Sequence, residues 1–405
     1  MERYIEANKN RLVGLLKEFV SIATVNPPGD NYVRMVSVLE KHCRRIGLKT
    51  KRVIVPKHEL KKYGVSQGEE RVNLIARWDT GAKKTLHING HYDVVPATSN
   101  WLTDPFKPLI KNNRVYGRGT EDMKANIASY LMAIEALKAK EIVPKCNIEL
   151  SFTPDEETGG KTGFAYLVNK GKVKCDYAIG EGYHGNFTSY GNKGIIWFKI
   201  EVLGKSCHSS EPHKGINAFE KMILIASELV KLKGKISKRK TLYSTKKSID
   251  RHPTMVMGGE LYGGNKTNIV PDKAVFSVDR RVLPEENMAD AKKEILSVIN
   301  RLKKKDKDLR VKVHIDSSER PAVCGRKNAL VDLFSKSIKK VIGKRGKSAL
   351  LAGATDMRFL IRKGVPSIGY SVDGGNTCHC DNEYIKIKSL VDTTKVFADV
   401  IANIA

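Results

Sequence analysis

The sequence lacks a long uninterrupted apolar run and any ordered cysteine pattern. None of its 405 residues lie in a stretch approaching the length of a membrane span, and charges interrupt the apolar residues of the N-terminal segment MERYIEANKNRLVGLLKEFVSI, unlike the core of a signal peptide. The seven cysteines are an odd number, are scattered, and never occur as CxxC. We therefore expect a cytoplasmic protein with neither a disulfide framework nor a cysteine-type zinc site.

Neither a repeat nor a low-complexity linker divides the chain. Its length nevertheless exceeds what one core ordinarily holds, so two domains are expected. The formal net charge is +28, from 72 basic and 44 acidic residues. The dense basic stretches at 231–240, 302–310 and 339–347 lie far apart and carry no nucleic-acid motif, so we do not expect a nucleic-acid partner. Solvated surface charge and steering of anionic substrates both remain open as explanations.

Short apolar runs alternate with helical patterns from about residue 72 to 182. Strands are predicted at 72–78, 84–95, 146–154 and 175–180, with helices at 124–140 and 163–171. This alternation predicts an α/β layered domain with a largely parallel central sheet. The pattern resumes near the C-terminus, with a helix at 327–343, a helix and a strand within 357–371, and a final helix within 384–405.

The intervening residues 190–316 have a different pattern. Strands are predicted at 194–204, 273–283 and 309–316, and long helices at 217–234 and 288–305. A β-α-β-α-β unit of this size forms a compact two-layer α+β domain. The sequence therefore predicts a domain inserted at 190–316 between two parts of the layered domain, 1–189 and 317–405.

Seven acidic or histidine side chains lie in five segments, most of them just after an apolar run. They are His91 and Asp93 in HYDVVP, Asp122 in GRGTEDMK, Glu156 and Glu157 in PDEETGG, Glu181 in AIGEG, and His379 in CHCDNE. In open α/β sheets, ligands collect outside the carboxyl ends of the strands. Two histidines with several carboxylates are the donor set of a two-zinc hydrolase.

Each segment alone has a simpler explanation. His91 and Asp93 are consistent with a satisfied pair at a strand end, although a carboxylate behind an imidazole also orients a metal ligand. Asp122 before a helix is consistent with a cap. Glu156 and Glu157 are consistent with an exposed loop tip, unless one of them binds a metal while its neighbour transfers a proton.

Taken in order, the motifs make the chain resemble a known family. It is similar to the two-zinc aminoacylases, acetylornithine deacetylases, succinyl-diaminopimelate desuccinylases and glutamate carboxypeptidases. The resemblance runs nearly end to end and rests on SIATVNPPGD, HYDVVP, GRGTEDMK, PDEETGG, IGEG, GKSCHSSEPHKGINAFEKM, GGNKTNIVPDKAVFSVDRR, GATDMRF and HCDNE. The chain departs from the pattern at Ala125, where Gly often follows the Lys, and at Cys207, Cys378 and Cys380, which flank histidines.

The resemblance implies a role for each matching residue. Asp122 would bridge two Zn²⁺ ions, which Co²⁺ or Mn²⁺ could replace. His91 and Glu181 would complete one metal, and Glu157 and His379 the other. Asp93 would orient His91, and Glu156 would be the general base that activates the attacking water.

The inserted domain would act as a lid and dimerisation domain. His208 would polarise the scissile carbonyl from the partner subunit of a homodimer, and Asn268 and Arg281 would grip a substrate with a free carboxylate. The expected activity is removal of an acyl group from an N-acyl amino acid by metal-activated water. The alternative is a zinc carboxypeptidase or dipeptidase that uses the same site.

Overall fold

The computed structural model describes residues 1–65, 68–325 and 328–405, which form two compact units. The large unit comprises Met1–Gly191, Cys324–Ala349 and Thr355–Ala405, and the inserted unit comprises Asn192–Val323 and Leu350–Ala354. The inserted unit extends past the predicted end at residue 316 because its last long strand keeps pairing as far as Glu319, which lies opposite Ile195.

The helices and strands are numbered here in chain order. The helices are α1 Glu2–Ala7, α2 Lys9–Val20, α3 Tyr32–Arg45, α4 Lys57–Leu60, α5 Ala125–Lys138, α6 Phe164–Asn169, α7 Ala218–Ile236, α8 Met288–Lys305, α9 Ala329–Ile342, α10 Met357–Ile361 and α11 Ile387–Asn403. The strands are β1 Lys49–Ile54, β2 Val72–Trp78, β3 Thr85–His91, β4 Leu109–Lys111, β5 Arg114–Tyr116, β6 Asn147–Thr153, β7 Tyr177–His184, β8 Phe187–Asn192, β9 Gly194–Leu203, β10 Thr254–Gly263, β11 Lys273–Val282, β12 Arg310–Glu319, β13 Ala322–Val323, β14 Lys347–Leu351, β15 Ser367–Ser371 and β16 Tyr384–Lys386.

The large unit is built on a mixed sheet whose central strands are parallel. The strand order is β1-β2-β6-β3-β7-β15-β8, with β14 beside β8. β6, β3, β7 and β15 run parallel to their neighbours in this series, whereas β1, β2 and β8 pair antiparallel at the two sides. Every residue of β3 and β6 is buried, as expected of central strands covered on both faces. The predicted α/β layered fold is confirmed.

Helix α5 is more deeply buried than its sequence suggested. Its predicted apolar face, Ile127, Leu131, Ile134 and Leu137, is buried, but Asn126 and Ser129 on other faces are buried as well. The helix packs against β3 on one side and against α2 and α11 on others, so within it only Glu135 and Lys138 are partly exposed. Within the described parts of the chain, no helix combines the length and apolar character needed to cross a membrane.

The four-stranded sheet of the inserted unit contains one strand that the sequence analysis missed. Its antiparallel sheet has the order β10-β11-β9-β12, and α7 packs against β9, β10, β11 and α8. β10 makes the predicted β-α-β-α-β arrangement incorrect by one strand. It lies at the sheet edge, is mostly exposed, and is interrupted by a bulge between Met257 and Leu261, where Gly258 has a φ of +82°. An exposed, bulged edge strand has no apolar alternation that would mark it in a sequence.

Candidate metal centre

The sheet brings the candidate ligands to one edge of the large unit. His91 is the last residue of β3, Glu156 and Glu157 follow β6, and Glu181 lies in β7. These three strands are parallel neighbours in the order β6-β3-β7, so their carboxyl ends open on the same edge. The predicted clustering at a strand edge is therefore the observed arrangement.

Asp122 lies between two imidazoles. Its Oδ1 is 3.0 Å from His91 Nε2, and its Oδ2 is 3.2 Å from His379 Nε2. One further carboxylate accompanies each histidine: Glu181 Oε2 is 4.0 Å from His91 Nε2, and Glu157 Oε2 is 3.0 Å from His379 Nε2. The five side chains thus divide into two half-sites that share the Asp122 carboxylate, and His91, Asp122 and Glu157 lie close enough together to hold a metal ion.

Asp93 holds the first half-site from behind. His91 Nδ1 lies 3.1 Å from the Asp93 carbonyl oxygen and 3.4 Å from Asp93 Oδ1. With a proton on Nδ1, the Nε2 lone pair faces Asp122 and is available to a metal. The same carboxylate accepts the backbone N–H groups of Glu156 and Glu157, each at 3.2 Å, and the Asn26 amide at 2.9 Å. Asp93 therefore connects the orientation of the imidazole to the position of the acidic pair.

Asp122 does not serve as a helix cap. The turn Thr120–Lys124 that carries it precedes α5, but the residue at the N-cap of α5 is Lys124, and no side chain caps that helix. Asp122 itself has a non-helical backbone (φ −126°, ψ 96°), and its peptide bond to Met123 is cis. Its carboxylate points instead to the two histidines, so the capping explanation is wrong.

Two buried glutamates clasp the segments that carry Asp122 and His379. Glu383 accepts the backbone N–H groups of Gly119, Glu121 and Asp122 at 2.7–3.1 Å and pairs with Arg118 at 2.8 Å. In return, Glu121 accepts the backbone N–H groups of the loop before His379, namely those of Gly374, Asn376 and Thr377, at 2.6–3.2 Å. We call this reciprocal arrangement the Glu121–Glu383 clasp. It fixes the segment of Asp122 relative to the loop that leads to His379.

The clasp yields a prediction for Glu383→Gln. The glutamine keeps the side-chain size but loses the charge that pairs with Arg118 and one of the two acceptor oxygens. Because such supporting contacts commonly contribute about 10–100-fold to metal affinity, we expect a loss of that size in a competitive chelator titration. Glu211→Gln, on the exposed surface of the inserted unit, is the control. Unchanged affinity together with a lower melting temperature would assign Glu383 a purely structural role.

The concentration of acidic side chains in the cluster favours the binding of cations. The carboxylates of Asp122 and Glu157, which hydrogen-bond to His379, raise the pKa of its imidazole to about 11, and the pKa of His91 is also raised strongly by Asp122 and Asp93 despite complete burial. Burial, together with the Asp122 charge, raises the pKa values of Glu157 and Glu181. Among the described residues, the buried Glu157 Oε1 has no hydrogen-bond partner. Nitrogen and carboxylate donors in this arrangement suit zinc.

Metal binding should therefore release protons. An imidazole must be neutral to coordinate a metal, and the raised pKa of His379 means that it carries a proton at neutral pH before the metal arrives. We expect release of at least about one proton per protein at pH 7, and weaker apparent affinity as the pH falls. Calorimetric titration in buffers of different ionisation enthalpy measures this number. A binding enthalpy independent of the buffer would contradict the prediction.

Glu156 lies beside the half-sites in a different environment from Glu157. Burial, followed by the nearby charge of Asp356, raises the pKa of Glu156 to about 8, while His91 and Arg358 oppose the shift. Divalent cations at the centre would bring the pKa down toward neutrality. A carboxyl group in this range can both take and return a proton, the property expected of a general base.

The candidate substrate residues lie in the inserted unit. The segments of His208 and Asn268 are hydrogen-bonded to each other, since the Ser209 N–H donates to the Asn268 carbonyl at 3.1 Å. His208 is exposed, and its Nδ1 lies 2.7 Å from Ser210 Oγ. Arg281, near the end of β11, makes a two-pronged ion pair with Asp279 at 2.9 Å for each prong.

Sequence reasoning missed several residues that support the site. They are Asn26, Glu121, Glu383 and Arg358, and all four lie inside motifs that carry the family resemblance. Their contacts are with backbone groups or with side chains far away in sequence, so no local residue spacing indicated their roles. The only available signal was their presence in those motifs.

The chain is similar to several known proteins. The profile of Peptidase family M20/M25/M40 matches residues 87–403. An uncharacterized metallohydrolase of Methanocaldococcus jannaschii is 31% identical over 371 residues, covering 86% of this chain and 88% of its own. A succinyl-diaminopimelate desuccinylase of Pelagibacter ubique is 26% identical over 406 residues, covering 96% and 98%. The crystal structure of an M20 family metallo-carboxypeptidase of Sulfolobus solfataricus superposes with a TM-score of 0.77 at 21% identity, covering 96% and 98%.

Proposed function

Because the chain belongs to peptidase family M20/M25/M40 and is therefore a metal-dependent amide hydrolase, we propose that it removes the acyl group from an N-acyl amino acid. The observation that carries the proposal is the position of Asp122 between His91 and His379, with Glu156 beside the ligands as a separate carboxylate. The deacylase choice is supported by the desuccinylase relative, which is similar over nearly the whole chain.

The proposed site uses two zinc ions. His91 and Glu181 would hold one, His379 and Glu157 the other, and Asp122 both. When bound, such ions polarise an amide carbonyl and lower the pKa of a water molecule. Cobalt or manganese are proposed substitutes, because their ions accept the same nitrogen and oxygen donors.

The protein's own contribution to the reaction is proton transfer by Glu156. Its carboxylate takes a proton from the attacking water as the oxygen bonds to the carbonyl carbon. The carboxyl group then gives that proton to the amide nitrogen as the C–N bond breaks, which yields a carboxylic acid and an amine. The raised pKa of Glu156 suits both steps, since the protonated and deprotonated forms are close in free energy near neutral pH.

The substrate side of the proposal rests on the inserted unit. His208 would donate a hydrogen bond to the developing oxyanion, and Asn268 would hold the substrate beside it. Arg281 would bind a substrate carboxylate, for which its planar guanidinium is well suited. The two-pronged pair with Asp279 shows the geometry that Arg281 offers, and a substrate carboxylate would compete with Asp279 for it.

We also propose a homodimer formed by the inserted unit. Apolar side chains stand exposed on α7 and on the neighbouring edge strand β10, where a second copy would cover them: Phe219, Ile223 and Leu224 on the helix, and Leu261 and Tyr262 on the strand. Exposed apolar groups gathered on a helix and an unpaired strand edge favour association. Leu261→Arg should lower the mass measured by light scattering from that of a dimer to that of a monomer.

Mixing two inactive variants tests whether His208 acts on the partner subunit. In a heterodimer of His208→Ala and Glu156→Gln subunits, one site combines an intact Glu156 with the intact His208 of the other subunit. We expect activity to reappear when the two variants are unfolded and refolded together, and not when either is treated alone. No recovery, with heterodimers shown by differently tagged subunits, would place His208 in its own subunit's site.

A substrate panel tests the proposed activity. Purified protein loaded with zinc, cobalt or manganese is offered N-acetyl and N-succinyl amino acids alongside dipeptides. Hydrolysis of the acyl amino acids supports the proposal, and cleavage of peptides alone would establish the carboxypeptidase or dipeptidase alternative, which the carboxypeptidase structural neighbour favours. Salt-dependent nucleic-acid binding by a metal-loaded protein with no hydrolysis would overturn both.

A further inference from the structure

Arg358 is a buried cation that the proposed reaction leaves without a role. It lies in the short helix α10, and its side chain is only 3% exposed. Its Nη2 donates a hydrogen bond to the Gly159 carbonyl at 2.8 Å, and its Nη1 lies 3.6 Å from Glu156 Oε1 and 3.7 Å from Asp356 Oδ1. One guanidinium therefore contacts both the candidate general base and the loop that carries it.

That loop, Asp155–Gly160, has a backbone conformation that few residue types adopt readily. Asp155, Gly159 and Gly160 all have positive φ angles of 63°, 103° and 71°. A Cβ on Gly160 would come within 2.4 Å of Asp356 Oδ1, so the loop passes α10 without room for a side chain. A backbone of this kind is held by its surroundings rather than by its own preference.

The loop is fixed from two directions. On one side, Asp93 accepts the backbone N–H groups of Glu156 and Glu157. From α10, Arg358 holds the Gly159 carbonyl and the Glu156 carboxylate. The contacts of Asp93 locate the backbone of Glu156, but among the described contacts it is Arg358 that reaches its carboxylate as an ion pair.

We propose that Arg358 is the positioning residue of the general base. This inference rests on the proposed function, since it assigns Glu156 the proton-transfer step. The guanidinium restricts the Glu156 carboxylate to one orientation beside the half-sites, and it fixes the end of the loop through Gly159. Misplacement of a catalytic group by about 1 Å can cost about 10²-fold in rate, so a restraint of this kind is large enough to matter.

The geometry requires an arginine and excludes direct contact with substrate. Two nitrogens of one planar group reach two partners at once, which a lysine ammonium on a flexible stem does not reproduce. The side chain is closed to solvent, so Arg358 does not bind the substrate carboxylate; that role remains with the partly exposed Arg281. Loss of Arg358 should therefore lower kcat, whereas loss of Arg281 should raise KM.

The test compares Arg358→Lys and Arg358→Ala with the wild-type enzyme. We expect kcat to fall about 10–100-fold with KM changed by less than about threefold and with the metal content unchanged. In the Glu156→Gln background, Arg358→Ala should cause no further loss, because its effect passes through the missing carboxylate. Lys363→Ala, which removes an exposed cation just beyond the same helix, is the control and should leave both constants unchanged.

Added guanidinium ion provides a second readout. At low millimolar concentration it should raise the kcat of Arg358→Ala and leave the wild type and Arg358→Lys unaffected. If Arg358→Ala raised KM and retained kcat, Arg358 would be a substrate-binding residue. If Arg358→Ala lowered kcat in the Glu156→Gln background as much as in the wild type, Arg358 would act elsewhere. Either result overturns the proposal. A crystal structure of Arg358→Lys in which the Glu156 carboxylate keeps its wild-type position would also overturn the proposal. This measurement can be made even if Arg358→Ala does not fold. Inactivity of the wild-type protein on the whole substrate panel would instead refute the proposed function.

Discussion

Glu156→Gln is expected to lower kcat by about 10²–10⁴-fold while the metal content stays unchanged. The amide has nearly the size of the carboxylate, and the backbone N–H of Glu156 still donates to Asp93, so the loop keeps its place. What is lost is a group that can accept a proton. Initial rates on the best substrate of the panel, with metal analysis of the same sample, measure the two effects separately.

The adjacent residue provides a matched comparison. Glu157→Gln removes a carboxylate of the same chemistry from the same loop, but this one lies 3.0 Å from His379 Nε2. We expect this variant to lose metal, and to regain part of its activity when excess metal is supplied. If Glu156→Gln instead lost metal while its remaining metal-loaded fraction turned over at the wild-type rate, Glu156 would be a ligand and the assignment of the base would be wrong.

Much of the fold was accessible from the sequence because its central elements are either uniformly apolar or strongly periodic. β2 was predicted at its observed bounds, 72–78, and α8 at 288–305. Central parallel strands and amphipathic helices leave such patterns because burial acts on every residue or on one face. β10 left none, since it lies at a sheet edge and a bulge interrupts it.

The candidate site could be predicted from the sequence only in part. Its candidate ligands were found because histidine and acidic residues follow apolar strands, and residue type alone then limits their chemistry. The Glu121–Glu383 clasp was not found, because backbone amides are present at every position and carry no sequence signature. The assignment of Glu157 as a ligand and Glu156 as the general base likewise depends on which carboxylate faces His379 and which faces Arg358. Two adjacent identical residues do not reveal this difference in the sequence.

Asp122→Asn is expected to abolish the proposed paired metal centre and most of the turnover. Asp122 is the side chain whose two oxygens face the two histidines, and an asparagine replaces one of those oxygens with a nitrogen that has no free lone pair and removes the charge. We therefore expect metal content to fall for both half-sites, and activity to fall at least as far as in Glu156→Gln, by about 10⁴-fold.

Thermal unfolding separates this loss from misfolding. A metal that binds only the native state, at a concentration of about 100 times its Kd, stabilises the protein by about 2.7 kcal/mol, and adding metal should raise the wild-type melting temperature accordingly. In the metal-free protein, Asp122 pairs with His91 and His379, and these partners hold the pKa of its carboxyl group well below its usual range, so removal of the charge should also lower the stability of the metal-free protein. Asp122→Asn should therefore melt below the metal-free wild type and respond weakly to added metal, whereas the surface control Asp79→Asn should respond fully. A full response by Asp122→Asn would show that the histidines bind metal without the shared carboxylate, and the bridged arrangement would have to be abandoned.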